Sequence, residues 1–351
     1  MNNSHTASSS TSGEVHIPDV SGQTDYVRLL REHSIDTETL YARVGGDRLI
    51  EVLLPIDGAR TAHYVFGKDQ HDDFILFRDG AVSEWSRTIG PDGAESVTAN
   101  KKFDVLKPWS NKEYALSVSP AGSGFKAQWL PEHNRTGTVF AVSQQLYIDD
   151  AEKAEWSEEQ AFKPVRTVRI EQRMLGIHPD EPTAPVAEID CTHLVDHNGV
   201  HVRSVVRWLR PVTIGAGYGV MVPVDGAFAG ELYTGLGHRY DATATDGSRT
   251  NLRDNDEAVS YAFVSRPEKT GEAADFAAAM TVRNIAATFR YDQPGRRTEE
   301  SVVWLQHRNA GIQKLYPHVF AHHTAEAGDV YEASGTYYVG MWPAGARTLT
   351  E

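Results

Sequence analysis

Cysteine is nearly absent from this 351-residue chain, with Cys191 the only one. A single thiol excludes an intrachain disulfide and a thiolate cluster for zinc or iron–sulfur. Long apolar runs are missing as well, and no stretch reaches the length of a membrane span. Basic residues are the minority charge, 34 against 48 acidic, for a formal net charge of −14. That excess opposes nucleic acid, anionic membrane surfaces and strongly anionic polysaccharides as partners. The first fourteen residues, MNNSHTASSSTSGE, hold neither a basic start nor an apolar run, so no signal peptide is expected. Catalytic signatures are also missing: the sequence has no GxSxG, no Walker A and no HExxH. The glycines of GAGYG at 215–219 stand in a strand and aromatic context that does not suit a phosphate loop. No cofactor is implied.

Seven Trp, fourteen Tyr and twelve Phe supply core material. The segment Pro185 to Pro211, PVAEIDCTHLVDHNGVHVRSVVRWLRP, reads as two alternating runs joined by Asn198-Gly199. That dipeptide suits a two-residue type I′ hairpin turn. The resulting register sets His197 opposite Val200, Asp196 opposite His201, Asp190 opposite Arg207 and Ile189 opposite Trp208. An apolar face carries Ile189, Cys191, Val195, Val202, Val206 and Trp208, so Cys191 is expected to act as a small buried hydrophobe. The opposite face carries Glu188, Asp190, Arg203 and Arg207. Such a hairpin belongs to an antiparallel sheet with one buried side.

Residues 1–14 are low-complexity Ser/Thr and are expected to be disordered or ordered by a partner. Residues 15–100 are read as an N-terminal helix, Thr24 to His33, followed by a small β unit. Residues 101–351 are read as the main β-sandwich, with strands every 10–20 residues or so. Two further helices are expected, over Ala151 to Ala161 and Glu272 to Ala279. Gly215, Gly217 and Gly219 predict a bent or bulged strand. The run YPHVFAHHTAEAGD is read as a surface connection before the last strand. The fold class is therefore all-β: an antiparallel β-sandwich of jelly-roll type with one or two short helices.

Glu188 and Asp190, two apart on one strand face, are spaced as an acid–base pair would be. Arg207 would neutralise charge beside them, and Arg203, Tyr218, His238 and Tyr240 could contact a ligand. The same polar residues would serve equally as a solvated sheet face, with cross-strand ion pairing. The histidines His307, His318, His322 and His323 lack any recognised ligand spacing, so no metal site is assigned. His71-Asp72-Asp73, Asp254 to Glu257 and Asn134-Arg135-Thr136 are read as polar turns. Among the tryptophans, Trp85, Trp109, Trp129, Trp156, Trp304 and Trp342 are candidates for stacking on sugar rings, and Trp208 is expected in the core.

The run THLVDHNGVHVRSVVRWLRPVTIGAGYGVMVPVDG, with the closing KLYPHVFAHHTAEAGDVYEASGTYYV, resembles the β-sandwich of bacteriophage tail and baseplate proteins. Similar concanavalin-like jelly rolls occur in polysaccharide lyases and glycoside hydrolases. The resemblance implies a glycan-recognising structural protein of a phage tail, with a host-surface carbohydrate, other virion proteins or further copies of the chain as partners. It implies residence in the virion, or otherwise in the cytoplasm. The alternative is a carbohydrate-active enzyme working on the polar face of the 186–210 hairpin through Glu188, Asp190 and Arg207.

Overall fold

A computed structural model describes residues 19–343 and 346, apart from 70–72, 94, 133–136, 154–160, 253–256, 267–275, 292, 294–302 and 310. Two antiparallel sheets, of thirteen and ten strands among the described residues, pack as a sandwich. In the larger sheet, Lys163–Val165, Leu40–Gly45, Leu49–Pro55, Arg60–Lys68, Ile75–Ile89 and Glu95–Leu106 lie side by side in that order. Val222–Asp225 joins this group to Ile312–Ala325, which leads on through Val212–Tyr218 and Ala115–Pro120 to Gln128–Leu130. The smaller sheet runs Arg239–Asp241, Ala229–Thr234, Ser260–Ser265, Phe276–Arg283, Val330–Met341, Gly199–Trp208, Ala187–Asp196, Val168–Gly176, Val139–Ile148, Ala151–Glu152. The β unit read over residues 35–100 thus supplies strands of the same large sheet.

Rings from both sheets meet in the core. Phe66 packs edge-on to His193 with centroids 5.4 Å apart, and Phe77 meets Tyr337 at 5.7 Å. The Val339 N–H donates to Tyr64 Oη (2.9 Å), a polar stitch through an apolar interior. The helix Tyr26–Glu32 is capped by Asp25, whose side chain accepts from the Arg28 N–H. It buries Tyr26, Val27 and Leu30.

The hairpin forms with both faces as the alternation dictates: Ile189, Cys191, His193, Val195, Val202, Val206 and Trp208 are buried. Its register differs by two residues from the expected one. Glu188, not Asp190, opposes Arg207, and Asp190 opposes Val205. The turn residues are His197 and Asn198, with the Asn198 N–H bonded to Asp196 Oδ1 (2.7 Å). Gly199 begins the return strand at φ +119°, and a Cβ there would collide with the carbonyl oxygen of Tyr337 on the next strand. Close approach of that neighbour, rather than the turn itself, fixes the glycine. A two-residue shift preserves strand parity, which is why the faces came out unchanged.

Three other expectations change. Phe276–Arg283 is a strand where Glu272 to Ala279 predicts a helix; its alanines suit a helix but also let a central strand pack closely between two neighbours. Residues 272–275 lie outside the described residues. Ala151–Glu152 pairs as a short strand with Val139–Ile148, and 154–160, with Trp156, lie outside the described residues. Of the run read as a surface connection, Tyr316 to Ala325 belongs to the fourteen-residue strand Ile312–Ala325, and only 326–329 connect it to the last strand. The glycine-rich strand Val212–Tyr218 is bulged, with register shifts on both sides.

Candidate aromatic cleft at a fork in the large sheet

Ile312–Ala325 changes partners halfway along. Its first half pairs with Val222–Asp225 on one side and Val303–Asn309 on the other, and its second half pairs with Val212–Tyr218. The change falls at Pro317, which has no N–H to give to a ladder. Leu315 and its cross-strand partner Leu305 point into the core, both fully buried. Strand alternation therefore turns Lys314, Tyr316 and His318 to the opposite face, together with Trp304 and Gln306 opposite them. Tyr218 lies beside His318 on the next strand, just after the bulge, and Ala115 lies opposite Tyr218.

All of these but His318 line an open cleft of about 590 Å³, together with Trp129, Pro131, Glu132 and the nearly buried Asn111. Four rings form its apolar wall. Trp129 lies nearly parallel to Tyr218 (5.9 Å, 18°), and Tyr218 meets Tyr316 at 4.6 Å and Trp304 edge-on at 5.8 Å. His318 packs between Tyr218 and Trp304. Lys314 stands over the Tyr316 ring and donates to Ser110 Oγ (3.1 Å), while the Arg249 guanidinium lies over Trp304.

Asn111 belongs to the segment from Lys107 to Tyr114, which buried charges hold. The Lys112 ammonium, fully buried, donates to the carbonyl oxygens of Phe77, Arg78, Lys107 and Ser110 at 3.0–3.2 Å. Burial pulls it down to about 8, partly offset by Glu113 and Asp79. The Glu113 carboxylate accepts from the N–H groups of Phe77 (2.6 Å) and Lys112 (3.0 Å) and from His193 Nε2 (2.9 Å). Tyr337 Oη bonds the carbonyls of Lys112 and Met221. Asn111 is only 6% exposed, and its Oδ1 has no hydrogen-bond donor among the described residues.

Of the residues singled out from sequence, Tyr218, Trp129 and Trp304 lie in this cleft. Glu188, Asp190, Arg203 and Arg207 stand on the outer face of the smaller sheet. There Arg173 donates to Glu188 (2.6 Å), and Arg203 makes two bonds to Glu332, holding that carboxyl below its usual range. Asp190 and Arg207 are exposed. His238 is exposed and Tyr240 half-buried at the opposite edge of that sheet. His307, on Val303–Asn309, is buried against Gln313 and Thr250, whereas His322 and His323 lie towards the end of Ile312–Ala325. Among the described residues no group of His, Cys, Asp and Glu converges as a metal site would. His71, Asp72, Asn134, Arg135, Thr136, Asp254, Asn255 and Asp256 lie outside the described residues. The signal that sequence reasoning passed over is the alternation Lys314, Tyr316, His318, with Trp304 and Gln306 one hairpin earlier.

A second polar cluster, Ser83–His63–Glu51, bridges three adjacent strands at 3.1 Å per link. Ser83 is fully buried and Phe162 packs over His63, so this serine meets no ligand. Burial opposes charge on Glu51, but His63 and Arg43 hold its carboxyl at about 2.

No protein-family model matches the chain, and no curated protein matches its sequence. Solved structures of similar shape include the GH36 α-galactosidase AgaB from Geobacillus stearothermophilus, 8% identical with a TM-score of 0.44, covering 86% of this chain and 40% of that one. The galactosidase domain of the α-galactosidase–sucrose kinase AgaSK is 7% identical with a TM-score of 0.43, covering 86% and 41%. A candidate aldose 1-epimerase from Klebsiella pneumoniae is 10% identical with a TM-score of 0.34, covering 78% and 86%. The chain spans about two fifths of the length of the two galactosidases.

Proposed function

We propose that this protein binds carbohydrate in the cleft at the sheet fork. The observation that carries the reading is the set of four rings, Trp129, Tyr218, Trp304 and Tyr316, on one face of an open cleft edged by amides, a lysine and a carboxylate. A pyranose has an apolar C–H face and a rim of hydroxyls; flat rings take the face and convergent polar groups take the rim. The cleft volume lies within the usual range for small-ligand sites. Neither the fold nor the structural neighbours point to a phage tail or virion, and recognition of a sugar needs neither.

Binding is favoured over glycoside hydrolysis by the charge inventory of the lining. Hydrolysis by paired carboxylates needs two of them roughly 5–10 Å apart. Among the described lining residues, Glu132 is the single carboxylate.

The test is an array of plant and bacterial oligosaccharides probed with the full chain, followed by titration of the best binder. Trp129→Ala and Tyr218→Ala, both at half-buried positions, are expected to weaken binding at least tenfold while the thermal midpoint stays within a few degrees. Absence of binding to any saccharide, or unchanged affinity in both variants, would defeat the proposal.

A further inference from the structure

We infer that Asn111 selects the ligand: its carboxamide oxygen accepts a hydrogen bond from a sugar hydroxyl, so the cleft takes pyranoses bearing a free hydroxyl there. Their deoxy and O-methylated counterparts are rejected. The inference rests on the carbohydrate reading and adds to it the chemical feature that is read.

The starting point is an acceptor without a donor. Buried polar atoms are nearly always hydrogen-bonded, because a desolvated acceptor left alone loses its water and gains nothing. Asn111 Oδ1 is buried and has no donor among the described residues, and Asn111 is one of the residues that line the cleft. The carboxamide is not placed there by slack. On its N-terminal side, the Ser110 carbonyl accepts from the Lys112 ammonium and the Ser110 hydroxyl oxygen accepts from Lys314. On its C-terminal side, the Lys112 N–H is taken by Glu113, and the Lys112 carbonyl accepts from Tyr337 Oη and from the Met221 N–H. With the backbone held on both sides, Asn111 presents a preorganised acceptor beside the aromatic wall.

What completes it must be a donor small enough to reach Asn111 while an attached apolar face meets the rings. A ring hydroxyl meets both demands. A site built around a buried acceptor discriminates sharply against an analogue lacking the donor, because that analogue leaves the acceptor stranded a second time. An O-methyl group fails for the same reason and also adds bulk.

The experiment takes the best-binding saccharide from the array and its set of monodeoxy and mono-O-methyl derivatives. Each is titrated calorimetrically against the native chain, Asn111→Ala and Asn111→Ser, with thermal melts to confirm folding of the variants. One deoxy derivative is expected to lose roughly ten- to a hundredfold in affinity for the native chain. The same derivative should lose less than about threefold against Asn111→Ala, so that the two changes are coupled. Equal losses in native chain and variants for every derivative would overturn the role of Asn111 and leave sugar binding intact. So would undiminished affinity of both variants for the parent saccharide. If the native chain binds no saccharide, the carbohydrate reading falls, and the inference falls with it.

Discussion

Replacing Glu113 by Gln tests the buried charge that fixes the segment carrying Asn111. The carboxylate and its partner His193 are both almost wholly buried, and the carboxylate also holds two backbone N–H groups. Burial alone would raise Glu113; the His193 bond, the Phe77 N–H and the Lys112 charge outweigh it and hold the group at about 2. Burial alone would lower His193; the Cys191 sulfur and the Glu113 carboxylate outweigh it and lift the group to about 10. The Glu113 contribution is thus complete above its ordinary 4.5 and is lost as the pH falls towards 2. The His193 contribution is complete below its ordinary 6.5 and is lost as the pH rises towards 10. These are two ends of one interaction and are not summed. Breaking a buried pair by removing one charge costs about 3–5 kcal/mol. Glu113→Gln should therefore destabilise the protein by that amount near pH 5.5, measured by urea unfolding. The gap to the native chain should then narrow above pH 6.5, by at most about 1.4 kcal/mol per pH unit. A gap below about 1 kcal/mol at pH 5.5, or one that stays constant to pH 9.5, would refute the reasoning.

Lys112→Met removes the donor from four carbonyl oxygens; a loss above about 2 kcal/mol in chemical denaturation is expected, accompanied by weaker saccharide binding. Gly199→Ala forces a side chain into left-handed backbone against the Tyr337 carbonyl; urea unfolding should show a cost of about 2 kcal/mol or more. Glu188→Gln severs only a solvated ion pair with Arg173, so neither the melting midpoint nor the saccharide titration should move. A loss of binding in that last variant would return the hairpin face to consideration as a ligand site.

Much of the sandwich was legible because alternation is a strong signal where one face of a strand is buried. The hairpin faces, the helix near Tyr26 and the bulged glycine strand could all be read from local pattern. Register could not, since the apolar face is indifferent to a slip of two residues and the decisive contact, Gly199 against Tyr337, comes from a strand more than a hundred residues later. Phe276–Arg283 misled because its alanines favour helix in isolation and owe their strand form to neighbours on both sides. The cleft was illegible for a related reason. Trp129, Tyr218, Trp304 and Tyr316 come from four separate strands, and only the fork at Pro317 brings them onto one surface. Trp129, Tyr218 and Trp304 each stand out from sequence as ligand-contact candidates, but nothing in the sequence groups them or adds Tyr316.

The fork also divides the labour of the binding surface between two arms with a common spine. Trp304 and Gln306 ride on one arm, Tyr218 and Trp129 on the other, and Ile312–Ala325 runs through both. One arm can lengthen, shorten or change its side chains while the spine keeps its pairing with the other. A lineage built on this plan can therefore change one wall of the cleft without disturbing the other.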